Sequence, residues 1–175
     1  MSVDLVLTVI GKDKPGLVEL LSQTVADHEG NWLESRMSRL AGEFAGIVRV
    51  NVPEACSLAL TEALEELEPK GLRVVVARSE IPVFGLGLRA IRLELVGGDR
   101  PGIIRDVSQA LARRDVNVDE LDTECSPAPM AGGMLFKATA HLRVPPEVDL
   151  EQLRRDLEEI AQDLMVDISL DDFEE

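Results

Sequence analysis

An eight-residue motif occurs twice in this sequence, at a spacing that carries Pro15 onto Pro101. The two copies are GKDKPGLV, residues 11–18, and GGDRPGII, residues 97–104. The same shift also carries Asn31 onto Asn117 and Glu34 onto Glu120. A register kept over this distance indicates a duplicated domain. The sequence therefore predicts one domain over 1–80, a linker over 81–88 and a second domain over 89–175.

Each half shows the same order of predicted elements, βαββαβ. In the first half, Val3–Ile10 reads as a central strand, and Pro15 suits the first position of a helix, where its missing N–H costs nothing. Leu17, Val18, Leu21 and Val25 form the apolar stripe of that helix, and Gly30 is predicted to end it in a left-handed conformation. Later elements are a hairpin of 32–40 with 45–52, a helix carrying Leu60, Ala63, Leu64 and Leu67, and a strand over 72–77.

The second half repeats this order, with strands over 89–96, 118–125, 134–144 and 166–170 and helices over 101–114 and 149–164. This pattern predicts an α+β chain of two ferredoxin-like domains, each with two helices on one face of a four-stranded antiparallel sheet. The loop SPAPMAGG, residues 126–133, adds about seven residues to the second hairpin, judged from Pro53 and Pro146. It either carries a function, as lengthened loops often do, or is a plain insertion.

Charge and composition exclude several classes of function. The net charge is −15, which repels nucleic-acid backbones and anionic lipid, so we expect neither as a direct partner. No apolar run is long enough to span a membrane, and we expect a cytoplasmic protein. Cys56 and Cys125 lie in different halves without metal-ligand spacing and are expected to be free thiols.

The turn between the first strand and first helix of each half is a candidate anion site. The N–H groups at the start of a helix have no partners within the helix and lie at its positive end, so they can bind a carboxylate. Asp13 or Asp99, with Asn31 or Asn117 of the same or the other domain, would bind the ammonium group of an amino acid. The alternatives remain open that the two Asp residues only cap their helices and that the two Asn residues only follow a helix end.

Catalysis has little support in the sequence. His28 falls near the end of a helix and His141 on the outer face of a strand, and neither has a nucleophile or carboxylate at a spacing that marks a general base. Phosphate-loop, dinucleotide and metal-ligand motifs are absent from the sequence. We therefore expect no enzyme activity, cofactor or metal.

Two copies of a strand followed by Gly-x-Asp-x-Pro-Gly and a helix, each with an Asn opening the next strand, resemble ACT domains. The segment from Asp99 to Pro145, including its Pro-rich loop, resembles the second ACT domain of the glycine cleavage system transcriptional repressor family. This resemblance implies a tandem-ACT protein without a DNA-binding domain that contacts a transcriptional activator and responds to glycine. It implies a ligand at an interface between ACT domains. The predicted ligand-binding residues are Asp13, Pro15, Gly16, Leu17 and Asn31, and Asp99, Pro101, Gly102, Ile103 and Asn117.

Two hypotheses of function follow. The first is a non-enzymatic regulator that binds a small amino acid and modulates a protein partner. The second is a ligand-free interaction module whose edge strands pair across two chains to form a homodimer.

Overall fold

A computed structural model describes residues 1–79, 87–129 and 132–172 of the chain. The chain divides into two compact units, Met1–Pro82 and Val83–Glu175, which we call domain 1 and domain 2. Residues 81–86 of the predicted 81–88 linker, the centre of the 126–133 loop and the end of the acidic tail lie outside the described residues. The predicted domain bounds remain a prediction.

Domain 1 is a βαββαβ unit with the strand order β2-β3-β1-β4, all neighbours antiparallel. Its elements are β1 Ser2–Lys12, α1 Leu17–Asp27, β2 Asn31–Leu40, β3 Glu43–Pro53, α2 Ser57–Glu65 and β4 Arg73–Arg78, with short 3-10 turns at Glu54–Cys56 and Glu68–Lys70. The predicted central position of the first strand is confirmed.

Domain 2 has the same topology, with the strand order β6-β7-β5-β8. Its elements are β5 Arg89–Gly98, α3 Ile103–Ala112, β6 Asn117–Pro127, β7 Met134–Val144, α4 Leu150–Leu164 and β8 Val166–Asp172. Both domains also carry a β-bulge at the same place, between Trp32 and Glu34 and between Val118 and Glu120. The predicted ferredoxin-like α+β fold is confirmed.

Each core lies between one face of the sheet and the two helices. In domain 1 alternate residues of β3, namely Val48, Val50 and Val52, are buried, and Leu21 and Leu64 come from the helices to meet them. The equivalent core of domain 2 joins residues of β5, β7, α3 and α4. Aliphatic side chains fill both cores, as expected for a chain that is 3% aromatic.

Helices α1 and α3 begin two residues later than the sequence predicts, at Leu17 and Ile103 rather than at the prolines. The residue before each helix, Gly16 or Gly102, is left-handed with φ of 91° or 99°, so the helix does not extend back to the proline. Val18 was also wrongly placed on the buried stripe, because it is 47% exposed.

The prediction that Gly30 supplies the left-handed end of α1 is wrong. Glu29 has the positive φ, 59°, and Asp115 takes the same role after α3. Gly30 is needed for another reason: a Cβ there would lie 2.8 Å from the carbonyl oxygen of Val25.

The strand register measures the insertion in the second hairpin. Gly11 pairs with Phe44, and Gly97 pairs with Phe136, so the spacing between copies grows from 86 residues on the first strand to 92 on the third. The insertion is therefore six residues, not about seven. In domain 1 the connection is the two-residue turn of Ala41 and Gly42, both with positive φ, which is typical of a type I′ hairpin.

The outer faces of the two sheets, opposite the helices, differ in chemistry. Across the middle of the domain 1 sheet runs the row Val75, Thr8, Ile47 and Arg36; the corresponding row in domain 2 is Ser169, Glu94, Thr139 and Asp122. Val75 and Ile47 are 56% and 49% exposed. Domain 1 thus presents an apolar outer face where domain 2 presents a polar and charged one.

None of the helices in the described residues is long and apolar enough to cross a membrane.

Candidate functional site

The strand–helix turn of domain 1, residues 13–16, leaves the start of α1 without a side-chain cap. Gly16 accepts the first helical hydrogen bond, from Leu20 N at 2.9 Å. Within the described residues, no side chain accepts from the first turn of the helix. Asp13 therefore does not cap α1, which excludes one of the alternatives open from the sequence. The free N–H groups lie at the positive end of the helix dipole, a place that suits an anion.

The turn of domain 2, residues 99–102, repeats this backbone. Asp106 N donates to Gly102 O at 3.0 Å, and α3 likewise lacks a side-chain cap among the described residues. Helix α4 shows the contrast, because Asp149 accepts from the N–H groups of Glu151 and Gln152. The two predicted turns thus each precede a helix whose first N–H groups have no side-chain cap, whereas those of α4 are capped.

Each turn makes equivalent hydrogen bonds to its own domain. Asp13 N donates to Gly42 O at 3.0 Å, and Asp99 N donates to Met134 O at 2.9 Å, so each turn is held against the β-hairpin of its own domain. Lys14 Nζ donates to the carbonyl oxygen of Lys70 at 2.8 Å. In domain 2, Arg100 Nη2 makes the equivalent bond to the carbonyl oxygen of Asp163 at 2.5 Å.

The two aspartates have different partners. In domain 1, Arg39 Nε lies 2.8 Å from Asp13 Oδ2, which forms an ion pair. In domain 2 the position of Arg39 is taken by Cys125, since both residues lie opposite a phenylalanine of the neighbouring strand. Desolvation raises the pKa of the Cys125 thiol most, and the charge of Asp99 and a hydrogen bond to it raise that pKa further.

The first turns of the helices also differ in charge. Glu19 of α1 corresponds to Arg105 of α3 under the 86-residue shift. Arg105 Nε lies 2.7 Å from Asp106 Oδ1, a bond that raises the pKa of Arg105 and lowers that of Asp106. A Cβ on Gly102 would lie 3.0 Å from Arg105 Nη2, so the guanidinium sits beside the turn.

The two predicted asparagines do not lie beside the turn of their own domain. Asn31 pairs with Asn51, which pairs in turn with Asp4, at the opposite end of β1 from the turn. From Asp4 to Lys12 a strand rises by roughly 25 Å. Asn117 is placed in the same way and donates to Asp119 Oδ1 at 2.7 Å. Neither Asn has a positive φ, and the left-handed residues that follow α1 and α3 are Glu29 and Asp115.

The remaining predicted residues contribute backbone rather than side chains. Leu17 and Ile103 are 3% and 2% exposed, so only their N–H groups can face a ligand. Pro15 and Pro101 are exposed at the tips of the turns.

The histidines are placed as the sequence predicts, with one contact that it did not reveal. His28 ends α1 and its Nδ1 lies 2.8 Å from Thr24 O. His141 lies on the outer face of β7, with Nδ1 3.2 Å from Glu120 Oε2. This pair stands where domain 1 has Arg49 and Glu34, 3.5 Å apart. Among the residues that the structure describes, no cluster of three or more His, Cys, Asp or Glu could hold a metal ion.

Comparison with known proteins identifies both halves by family. The ACT domain family matches residues 4–76 and again residues 91–162. A UPF0237 protein of Methanopyrus kandleri is 32% identical over 80 residues, which is 43% of this chain and 88% of that protein.

Two crystal structures resemble the chain over its whole length. A protein of unknown function from Galdieria sulphuraria superimposes with a TM-score of 0.90 and 29% identity, covering 99% of this chain and all of that one. A candidate glycine cleavage system transcriptional repressor gives a TM-score of 0.70 and 19% identity, covering 100% of this chain and 99% of that one. At that identity the second likeness concerns the fold.

Proposed function

Because the chain belongs to the ACT-domain family, with one ACT domain in each half, we propose that it is a non-enzymatic regulatory protein that binds a small amino acid and transmits the signal to a protein partner. The observation that supports this most is the uncapped helix start beside an aspartate, present in both domains. N–H groups at the helix start suit the carboxylate of an amino acid, and an aspartate suits its ammonium group.

The partner is proposed to be another protein, of the kind that the repressor resemblance implies: a transcriptional activator, with glycine as the candidate signal. The net charge of −15 disfavours direct contact with DNA, so the signal is proposed to pass through contact with another protein. Regulation requires that the ligand bind two arrangements of the chain with different affinities.

Isothermal titration of the full chain with glycine, L-serine and a panel of other amino acids tests this proposal. We expect saturable binding of at least one of them, and strongly reduced binding in the double variant Asp13→Asn with Asp99→Asn. Silence across the panel would contradict the proposed function.

The asparagines are tested separately with Asn31→Ala and Asn117→Ala. If they bind the ligand as the family resemblance implies, each loss of a hydrogen bond should weaken the affinity by roughly twofold to tenfold. Unchanged affinity in both variants would remove them from the site and leave the turns.

A second candidate function, an interaction module without a small ligand, is favoured by the apolar outer face of domain 1, where Ile47 and Val75 are about half exposed. Light scattering with and without the amino-acid panel separates the two. A ligand-free module should have a molar mass that no amino acid changes, together with no heat of binding.

A further inference from the structure

The centre of the outer sheet face in domain 1 is apolar and exposed. Around Thr8, three positions on each of β3, β1 and β4 form a block in register. The apolar residues of this block are Val6, Ile10, Ala45, Ile47, Val75 and Ala77. Ile10, Ile47 and Val75 are 46%, 49% and 56% exposed. From the spacing of the strands and the rise along them, the block covers roughly 300 Å², a size that marks an interaction surface on many soluble proteins.

Domain 2 shows how the same scaffold looks when this face meets water. Of the equivalent positions in its sheet, all within the described residues, only that of Val96 is apolar, and Glu94 takes the central place of Thr8. An antiparallel sheet with one solvated face normally places polar residues on that face. Domain 2 follows this rule and domain 1 departs from it, so the face of domain 1 is suited to being covered.

The charge of this face differs from that of the chain as a whole. The outer face of domain 1 carries four cationic and three acidic residues, which are Lys12, Arg36, Arg49 and Arg73 with Asp4, Glu34 and Glu43. In domain 2 six acidic residues and three cationic ones face outward. Because the net charge of the chain is −15, two copies repel each other over most of their surface. The outer face of domain 1 is a surface at which two copies can meet without this repulsion.

The two ends of the domain 1 face have opposite charges. At the end near the strand–helix turn, a lysine–glutamate ion pair is neutral and Arg73 adds a positive charge. At the other end, Arg49 Nη1 lies 3.9 Å from Asp4 Oδ2 and its Nε lies 3.5 Å from Glu34 Oε1. One guanidinium between two carboxylates leaves a net negative charge at this end.

This distribution makes the face complementary to itself. A two-fold axis across the strands lays the positive end of one copy over the negative end of the other. The same axis places Ile47 and Val75 opposite their own counterparts in the second copy. Arg36 is exposed on the edge strand β2, at the rim of the face, where solvent screens its charge.

We propose that domain 1 binds a second copy of this chain, with the outer faces of the two domain 1 sheets packed against each other. Sheets packed in this way lie about 10 Å apart with interdigitated side chains. The whole face, four strands wide and roughly 25 Å long, offers roughly 500 Å² per copy and about 1,000 Å² in all, the lower limit for a specific interface. The dimer is therefore reversible. This contact differs from the edge-strand pairing considered from the sequence, and it goes beyond the proposed function because it does not require an amino acid.

Sedimentation of the full chain over a range of concentrations tests the proposal. We expect a monomer–dimer equilibrium with a dissociation constant on the order of micromolar to a hundred micromolar. Ile47→Lys should weaken the dimer by roughly tenfold or more, because it buries an ammonium group of each copy in the contact. Thr139→Lys is the matched control, since it makes the same change of charge at the equivalent position of domain 2 and should leave the dimer intact. A monomeric wild type, a dimer kept by Ile47→Lys, or a dimer lost equally in Thr139→Lys would overturn the inference.

Salt dependence separates an apolar contact from one made by ion pairs between copies. Raising the salt from about 0.05 M to about 0.5 M shortens the Debye length from roughly 14 Å to roughly 4 Å. This screens the repulsion between two chains of charge −15, so the dissociation constant of the dimer should fall by roughly threefold or more. A dimer that salt weakens would contradict the proposed contact.

Methyl NMR of the wild-type chain locates the contact without any substitution. In protein labelled at isoleucine methyl groups, the signals of Ile10 and Ile47 should shift or broaden as the concentration rises through the dissociation constant. Those of Ile91 and Ile103, in the core of domain 2, should stay unchanged. A dimer whose formation leaves the Ile10 and Ile47 signals unmoved would lie on another surface, such as an edge strand, and would overturn the inference. Amino-acid binding is measured separately by titration, so failure of the dimer leaves the proposed function in place.

Discussion

The outer faces of the two sheets show where the two copies have diverged. In domain 1 the middle row carries Val75 and Ile47, and in domain 2 the same positions carry Ser169 and Thr139. Thr8, between the first two, corresponds to Glu94. Apolar side chains have been exchanged for polar or charged ones in register, without a change of strand order or bulge position.

The helix-facing sides of the same strands changed far less. Leu5, Leu7 and Val9 of β1 correspond to Ile91, Leu93 and Leu95 of β5, and all are buried. Burial of apolar surface sets a strong constraint on these positions, whereas the outer positions are free to follow the needs of each domain. The duplication has therefore kept one scaffold and specialised its surfaces and turns.

The largest effect should come from filling a close contact that both domains share. A Cβ on Gly11 would lie 2.2 Å from the carbonyl oxygen of Gly71, and one on Gly97 would lie 2.4 Å from Cγ1 of Val166. We expect Gly11→Ala and Gly97→Ala each to lower the free energy of unfolding by about 1–3 kcal/mol, since the backbone must shift. Urea denaturation measures the loss.

Gly98→Ala is the matched control, because nothing lies within 4 Å of a Cβ at that position. It should change stability by no more than about 0.5 kcal/mol. If only one of Gly11→Ala and Gly97→Ala kept the stability of the wild type, the two domains would not be equivalent at this contact.

The sequence predicts the fold well because the repeat, the periodicity of apolar residues and the Pro-Gly turns all point to the same topology. It misplaces the helix starts because Pro15 and Gly16 are compatible with a helix that begins at the proline and with one that begins at Leu17. Only the left-handed φ of Gly16 decides between these two starts. The contacts of the candidate site were harder to predict from the sequence. Arg39 reaches Asp13 through the register of a hairpin, and no local pattern reveals that pairing. Similarly, the distance between Asn31 and the turn follows from the length of β1, which the motif alone does not give.

A smaller effect should appear at the helix pair of domain 2. Arg114, two residues after the end of α3, pairs with Asp156 of α4, with Nη2 2.5 Å from Oδ2, where domain 1 has His28 and Ala63. Hydrogen bonds from Arg114 and Gln152 lower the pKa of Asp156. Because the folded-state pKa is below the unfolded one, the stabilisation is full above about pH 4 and is lost as the pH falls through the folded-state value.

We therefore expect Asp156→Asn to be less stable than wild type at pH 7, by a small amount for a surface pair, and to converge with it below about pH 4. Thermal melts across this range measure the convergence. Glu158→Gln, on an exposed position of the same helix, should follow the wild-type curve throughout. A difference between Asp156→Asn and wild type that persisted at low pH would point to a packing effect rather than to the charge.

A modest effect is expected on thiol chemistry at the second turn. Removing the charge of Asp99 should lower the pKa of Cys125 and speed its alkylation at pH 8, because more thiolate is present. Desolvation, the largest cause of the raised pKa, remains in the variant, so the gain should be less than about tenfold. The measurement compares Asp99→Asn with Asp122→Asn, both in a Cys56→Ser background in which Cys125 alone reacts. Equal rates would mean that the carboxylate does not influence the thiol.

The smallest change in stability is expected on the outer face of domain 1, where Ile47→Thr and Val75→Ser together reproduce the residues of domain 2. Both side chains are about half exposed, so the double variant should unfold within about 1 kcal/mol of wild type. It should also bind less of a dye that reports exposed apolar surface, as the patch is reduced. If the face is an interface between chains, light scattering will instead show a loss of molar mass in the double variant, and unfolding will become dependent on concentration. Unchanged mass together with unchanged amino-acid binding would place the function in the turns rather than on this face.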